Sequence, residues 1–155
     1  MSKVKSIKPD RILIVDDDPD LLEVLQERFE QSDWKVDTAN DGLKGLDIVN
    51  GKEFDVILSD IEMPQLNGIQ FLSEIRGSEK NAGTVVVLMS GAFNQKDVNE
   101  LLGYELGTFI EKPFSAEKIL SLIEDALKRR SELQSQLESS EVDSANKRFK
   151  VIGED

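Results

Sequence analysis

The 155-residue chain has no cysteine, no histidine, one tryptophan, one tyrosine and four prolines. Without cysteine there can be no disulfide and no thiolate metal ligand. Without histidine there is no imidazole base, no histidine metal ligand and no phosphohistidine of its own. Chemistry is confined to carboxylates, hydroxyls, lysine and a hard metal ion. Long apolar runs are missing too: the longest, Val85–Met89, falls far short of the roughly 20 residues that span a bilayer. The opening MSKVKSIKPD is basic, yet only four aliphatic residues follow Arg11 before acids intervene, so it lacks a signal-peptide core and the expected location is the cytoplasm. Positive charge is scarce: 19 Lys and Arg against 31 Asp and Glu leave a net charge of −12. Such a surface repels phosphate backbones and anionic lipids. Neither nucleic acid nor membrane is an expected partner; a protein or a cation is.

What the chain does have is an apolar pattern that changes period repeatedly. Runs rich in Val and Ile predict strands over 11–16, 34–39, 55–60, 84–90 and 107–111. Between them, helical spacing predicts helices over 19–31 and about 41–50, 66–77, 95–104 and 115–130. The first helix carries Leu21, Leu22, Leu25 and Phe29 on one face, with Asp18 as N-cap and Pro19 at its first position. The last has Ser115 as cap and Ile119, Leu122, Ile123 and Ala126 as its buried stripe. Strands alternating with helices predict an α/β fold with a parallel sheet covered on both faces. The first, third and fourth strands are almost wholly apolar, as central strands are. Residues 1–10 are a short lead, 11–130 form the domain, and 131–155 are a Ser-, Glu- and Gln-rich stretch. That last stretch reads as a polar tail or linker, or as an extension of the last helix through Leu133 and Leu137 that could meet a second copy.

In a wound parallel sheet the site lies beyond the carboxyl ends of the strands. There the sequence puts Asp16-Asp17, Asp60, Ser90-Gly91 and Lys112. Three carboxylates gathered at one edge call for a cation, and magnesium suits, because it takes oxygen ligands and usually one or two carboxylates plus a phosphate. An EF-hand calcium loop is a poorer match, since residues 16–27 lack its glycine and ligand spacing. Asp60 can attack a phosphoryl group to form an aspartyl phosphate. Lys112 can neutralise that group, and the Ser90 hydroxyl can donate a hydrogen bond to it. Asp18 has the separate task of capping.

The stretches ILIVDDD, DVILSDIEMPQLNG, VVVLMSG and FIEKPF, in that order, closely resemble the receiver domain of two-component response regulators over about residues 11–130. The resemblance implies a CheY-like, doubly wound sheet of five strands in the order 2-1-3-4-5 with five helices. It implies Asp60 as phosphoacceptor, and Mg2+ held by Asp16, Asp17, Asp60 and the Glu62 backbone carbonyl. Ser90 takes the place of the family's switch Ser/Thr with Gly91 beside it, Phe109 that of the aromatic switch, and Lys112 that of its lysine. The Lys112-Pro113 peptide is expected to be cis. A histidine kinase or histidine phosphotransfer protein would donate the phosphate. A protein effector would read it on the face made by the fourth helix, fifth strand and fifth helix, in a non-enzymatic signalling role, with a homodimer open. One departure is Glu105-Leu106, where the family often has Gly-Ala; another is the acidic Glu62.

The rival is a haloacid-dehalogenase-like phosphatase, with Asp16 as nucleophile and Asp18 as acid-base. Asp20 stands where that family has Thr or Val, its late acidic metal motif is missing after Lys112, and Asp60 is left unexplained. The chain reads as a stand-alone receiver, with the amino-terminal part of a longer regulator as the alternative.

Overall fold

The fold comes from a computed structural model that describes residues 10–91, 96 and 107–154, with side chains through residue 136. Five parallel strands, β1 (Arg11–Val15), β2 (Lys35–Ala39), β3 (Val56–Asp60), β4 (Val85–Ser90) and β5 (Gly107–Glu111), pair in the order β2-β1-β3-β4-β5. The described helices are α1 (Pro19–Gln31), α2 (Gly42–Gly51), α3 (Gly68–Arg76) and α4 (Ala116–Glu154). Most of the helix predicted near 95–104, and the Glu105-Leu106 pair, lie outside the described residues. This is the doubly wound α/β sheet expected, and its strand order reverses between β1 and β3, where such folds place their site.

The apolar strands are central because side chains alternate across the sheet and both faces are covered. Leu13 and Val15, Ile57, and Val86 and Leu88 face one core, with Phe71, Leu72 and Ile75 of α3. Ile12 and Ile14, Val56 and Leu58, and Val85, Val87 and Met89 face the other, with Leu22, Leu25 and Phe29 of α1 and Ile119, Ile123 and Ala126 of α4. Burying one such side chain fully is worth about 1.5–3 kcal/mol, so the strand ends that carry the acids are mounted on the most deeply buried part of the described fold.

Local chemistry sets the helix starts. The Asp18 carboxylate accepts from the Asp20 and Leu21 amides, and Pro19 follows it. Asp41 accepts from the Lys44 amide at 2.8 Å to start α2. Asn67 and Gln70 form a reciprocal capping box on α3. Ser115 Oγ accepts from the Lys118 amide to start α4.

α4 runs past residue 130, and of the two readings of 131–155 it takes the helical extension, further than the turn or two that Leu133 and Leu137 suggest. Its buried stripe does stop near residue 130: Arg130 Nη2 lies 3.7 Å from Asp55 Oδ1, while residues 131–136 are exposed. The helix nevertheless continues to Glu154. Burial ends, but composition does not change sides, since residues 116–152 contain no Pro or Gly and many Ala, Leu, Glu, Gln, Lys and Arg.

At the opposite end of the sheet from the acids, one buried side chain ties three segments together. Asn81 Oδ1 accepts from the Phe54 amide and from Thr84 Oγ1, both at 2.9 Å, while its Nδ2 donates to the carbonyls of Val49 and Lys52. Asn81→Ala strands these buried groups, and its expected cost is about 2–3 kcal/mol in urea unfolding. A loss well below 1 kcal/mol would contradict this account of the network.

Candidate metal and phosphoacceptor site

Register brings the sequence-predicted residues to one edge. Val15, the last residue of β1, pairs with Ser59 of β3, so Asp16 and Asp60 both come just after that rung. Asp60 in turn pairs with Met89, which puts Ser90 one step beyond it on β4. Backbone bonds extend the ladders past the strand ends: Asp16 N donates to Ala39 O, Ile61 N to Met89 O and Lys112 N to Ser90 O. The loops that bear the acids are therefore continuations of the sheet.

The carboxylates of Asp16, Asp17 and Asp60 each offer an oxygen within 4.8 Å of the others. Asp16 is 0% exposed and Asp60 5%, whereas Asp17 is open to solvent. Lys112 Nζ lies 3.1 Å from Asp16 Oδ2 and 3.4 Å from Asp60 Oδ1. Asp16 Oδ1 also accepts the Asp18 amide at 2.9 Å. Burial, followed by the Asp16 charge, pushes the Asp60 carboxyl up to about 6, against the opposing pull of Lys112 and of a hydrogen bond from the Glu62 amide. For Lys112, burial works against the charge, but its hydrogen bond to Asp16 and the charges of Asp16 and Asp60 raise its pKa above the ordinary value.

Three carboxylates and one ammonium leave two negative charges in a partly buried pocket. Like charges about 4 Å apart repel by about 4 kcal/mol at an effective dielectric of about 20. The residual charge and the all-oxygen donor set fit a hard divalent cation.

The remaining predicted residues flank this cluster. Ser90 is fully buried at the end of β4 and Gly91 is exposed just after it. Phe109 is half-buried on β5, opposite Leu88, against the core that α3 covers. The Lys112-Pro113 peptide is cis. Glu62 is exposed, on the loop that leaves Asp60. The sequence reading missed the two amides, of Asp18 and Glu62, that hold Asp16 and Asp60. It also missed Gly68, where a methyl group would lie 2.5 Å from the Asp60 carbonyl oxygen. The glycine of MPQLNG was the available signal. Asp18 is turned to its capping amides and takes no part in the cluster.

Residues 12–124 match the family of the response regulator receiver domain. The chain is 34% identical over 134 residues to a transcriptional regulatory protein, the CpxR homolog of Haemophilus influenzae; the match covers 85% of this chain and 56% of that one. It spans about half the length, or less, of the curated relatives it matches. A CheY-like receiver domain protein from Methanospirillum hungatei superposes with a TM-score of 0.76 at 24% identity, over 81% of this chain and 98% of that one. The receiver domain of a Pseudomonas aeruginosa sensor histidine kinase, whose structure has magnesium coordinated in the active-site cleft, gives 0.70 at 21%, over 78% and 99%. At these identities the superpositions show the fold. With the family match spanning both the sheet and its acidic edge, this chain belongs to the response regulator receiver domain family.

Proposed function

We propose that the chain is a phosphoryl-accepting switch in a two-component system, located in the cytoplasm, with Asp60 as the phosphoacceptor. The observation that carries this reading is the convergence of Asp16, Asp17 and Asp60 at the ends of β1 and β3, with Lys112, just after β5, paired to Asp16 and Asp60. An Asp60 carboxylate oxygen attacks the phosphorus of a phosphohistidine on a histidine kinase or phosphotransfer protein. The new O–P bond forms as the N–P bond breaks, and the imidazole leaves with the electron pair. Asp16, Asp17, Asp60 and the Glu62 carbonyl would hold magnesium, which would supply charge neutralisation for the phosphoryl oxygens. Lys112, which already reaches Asp60, neutralises charge on the transferred group, and Ser90, with Gly91 beside it, hydrogen-bonds that group once it is on Asp60. Phe109 then follows Ser90, and the β5 face changes shape for a protein effector. The chemistry on phosphate is limited to the chain's own phosphorylation and its loss. A phosphatase using Asp18 as acid-base is disfavoured by that side chain's engagement with the α1 amides.

Intact mass after incubation with acetyl phosphate and magnesium is expected to show one phosphoryl adduct, lost without magnesium and lost in Asp60→Asn. An adduct that survives Asp60→Asn would contradict the assignment.

The raised Asp60 pKa has a stability consequence. Between its ordinary 3.8 and about 6 the native state binds more protons than the unfolded chain. Stability therefore falls as pH rises through that window and stays at the lower level above it. Without metal, Asp60→Asn is expected to melt at a higher temperature than wild type at neutral pH, with the gap closing as pH falls towards 3.8. A pH-independent gap, or a less stable variant at neutral pH, would contradict the burial and crowding of this carboxyl.

A further inference from the structure

We infer that the amino-terminal turn of α2 is the backstop that holds the Glu62 loop in position for the metal, and that Gly42 is the positioning residue. The inference rests on the reading of Glu62 as a carbonyl ligand and names what fixes that carbonyl.

The loop from Ile61 to Asn67 is short and tied at its base. Ile61 N donates to Met89 O, and Gly68 N donates to Ile61 O at 2.8 Å, so both ends meet at the sheet. Ile61 and Met63 are buried in the core. Beyond them the chain tightens: Leu66 N donates to Pro64 O at 2.7 Å, and Gln65 sits at φ 71°, a conformation rarely taken by a residue with a side chain. Movement at Leu66 is therefore passed back along a stiff segment towards Glu62.

The outer end of that segment rests on α2. A methyl group at Gly42 would lie 2.6 Å from the Leu66 carbonyl oxygen and 3.1 Å from Leu66 Cβ. The first is too close for any real contact, and a backbone oxygen cannot rotate away as a side-chain tip can. Either α2 or the loop would have to yield. Retreat of α2 would lift Gly45, one turn on and on the same face, off the core atoms it is seated against, since a methyl there would meet Phe71 Cζ at 3.0 Å and Val15 Cγ2 at 3.1 Å. The loop, with Pro64 and Gln65 exposed, is the part that yields. Gly42 thus matters through its missing side chain: it lets the capped helix start press directly on the loop. It touches neither metal nor phosphate and acts through Leu66.

The helix supplies its own controls. A methyl at Gly51 meets nothing within 4 Å, and one at Gly45 strains the core without touching the loop. The experiment is a magnesium titration of the full chain followed by amide NMR shifts, with melting temperatures, for wild type, Gly42→Ala, Gly45→Ala and Gly51→Ala. Gly42→Ala is expected to weaken magnesium binding by about tenfold, the scale of lost outer-shell support. Gly45→Ala is expected to lower the melting temperature without weakening the metal comparably, and Gly51→Ala to change neither. Magnesium binding unchanged in Gly42→Ala, or weakened equally in Gly45→Ala, would overturn the inference. The wild-type titration is a second arm that needs no variant to fold: the Glu62, Leu66 and Gly42 amides should shift with one midpoint while Gly51 stays still. A moving Glu62 with a still Gly42 overturns this inference alone. A still Glu62 overturns the metal reading beneath it.

Discussion

Repulsion among the carboxylates of Asp16, Asp17 and Asp60 is the constraint around which this domain is arranged. Two of the three are buried, one lysine answers them, and two negative charges are left over. A flexible loop would relieve this by swinging the acids apart. Asp16 and Asp17 follow directly from β1 and Asp60 ends β3, and the aliphatic side chains of both strands are packed on both faces of the sheet. The core thus holds the charges together against their repulsion, and burial first, with the Asp16 charge second, raises the Asp60 pKa.

The supports around the cluster share a common form, in which backbone rather than side chain makes the closest approach. The Asp18 amide meets Asp16, the Glu62 amide meets Asp60, and Gly68 lies against the Asp60 carbonyl. Gly42 repeats the device one layer out, against Leu66. Main-chain contacts of this kind leave little rotamer freedom, so ligand positions are set before any ion arrives. The ends of β4 and β5 are built differently. Ser90 is enclosed at the end of β4, and Phe109 is only half-buried on the neighbouring strand.

Much of this was legible because local and global signals agree. Val/Ile runs marked the central strands, Asp18 and Ser115 marked helix starts, and the acids fell where a wound sheet places its site. Lys112, distant in sequence, joined Asp16 and Asp60 for the same topological reason. The parts that were not legible depend on contacts between segments far apart in the chain. Nothing near Asn81 announces that it will satisfy carbonyls of Val49 and Lys52. Gly42 and Gly68 look like ordinary helix-start glycines until Leu66 O and Asp60 O are brought against them. Past Arg130, Leu133 and Leu137 suggested a helical extension but not its length, because what continues there is helix-forming composition without a buried face.

The most direct test of the central claim is the titration of the Asp60 carboxyl by carbon-detected NMR on aspartate-labelled protein, with and without magnesium. The charge account predicts a midpoint of about 6 in the absence of metal. It predicts a clear downward move on adding magnesium, as the cation takes up the excess negative charge. A midpoint at the ordinary aspartate value without metal, or one that magnesium leaves unmoved, would contradict it.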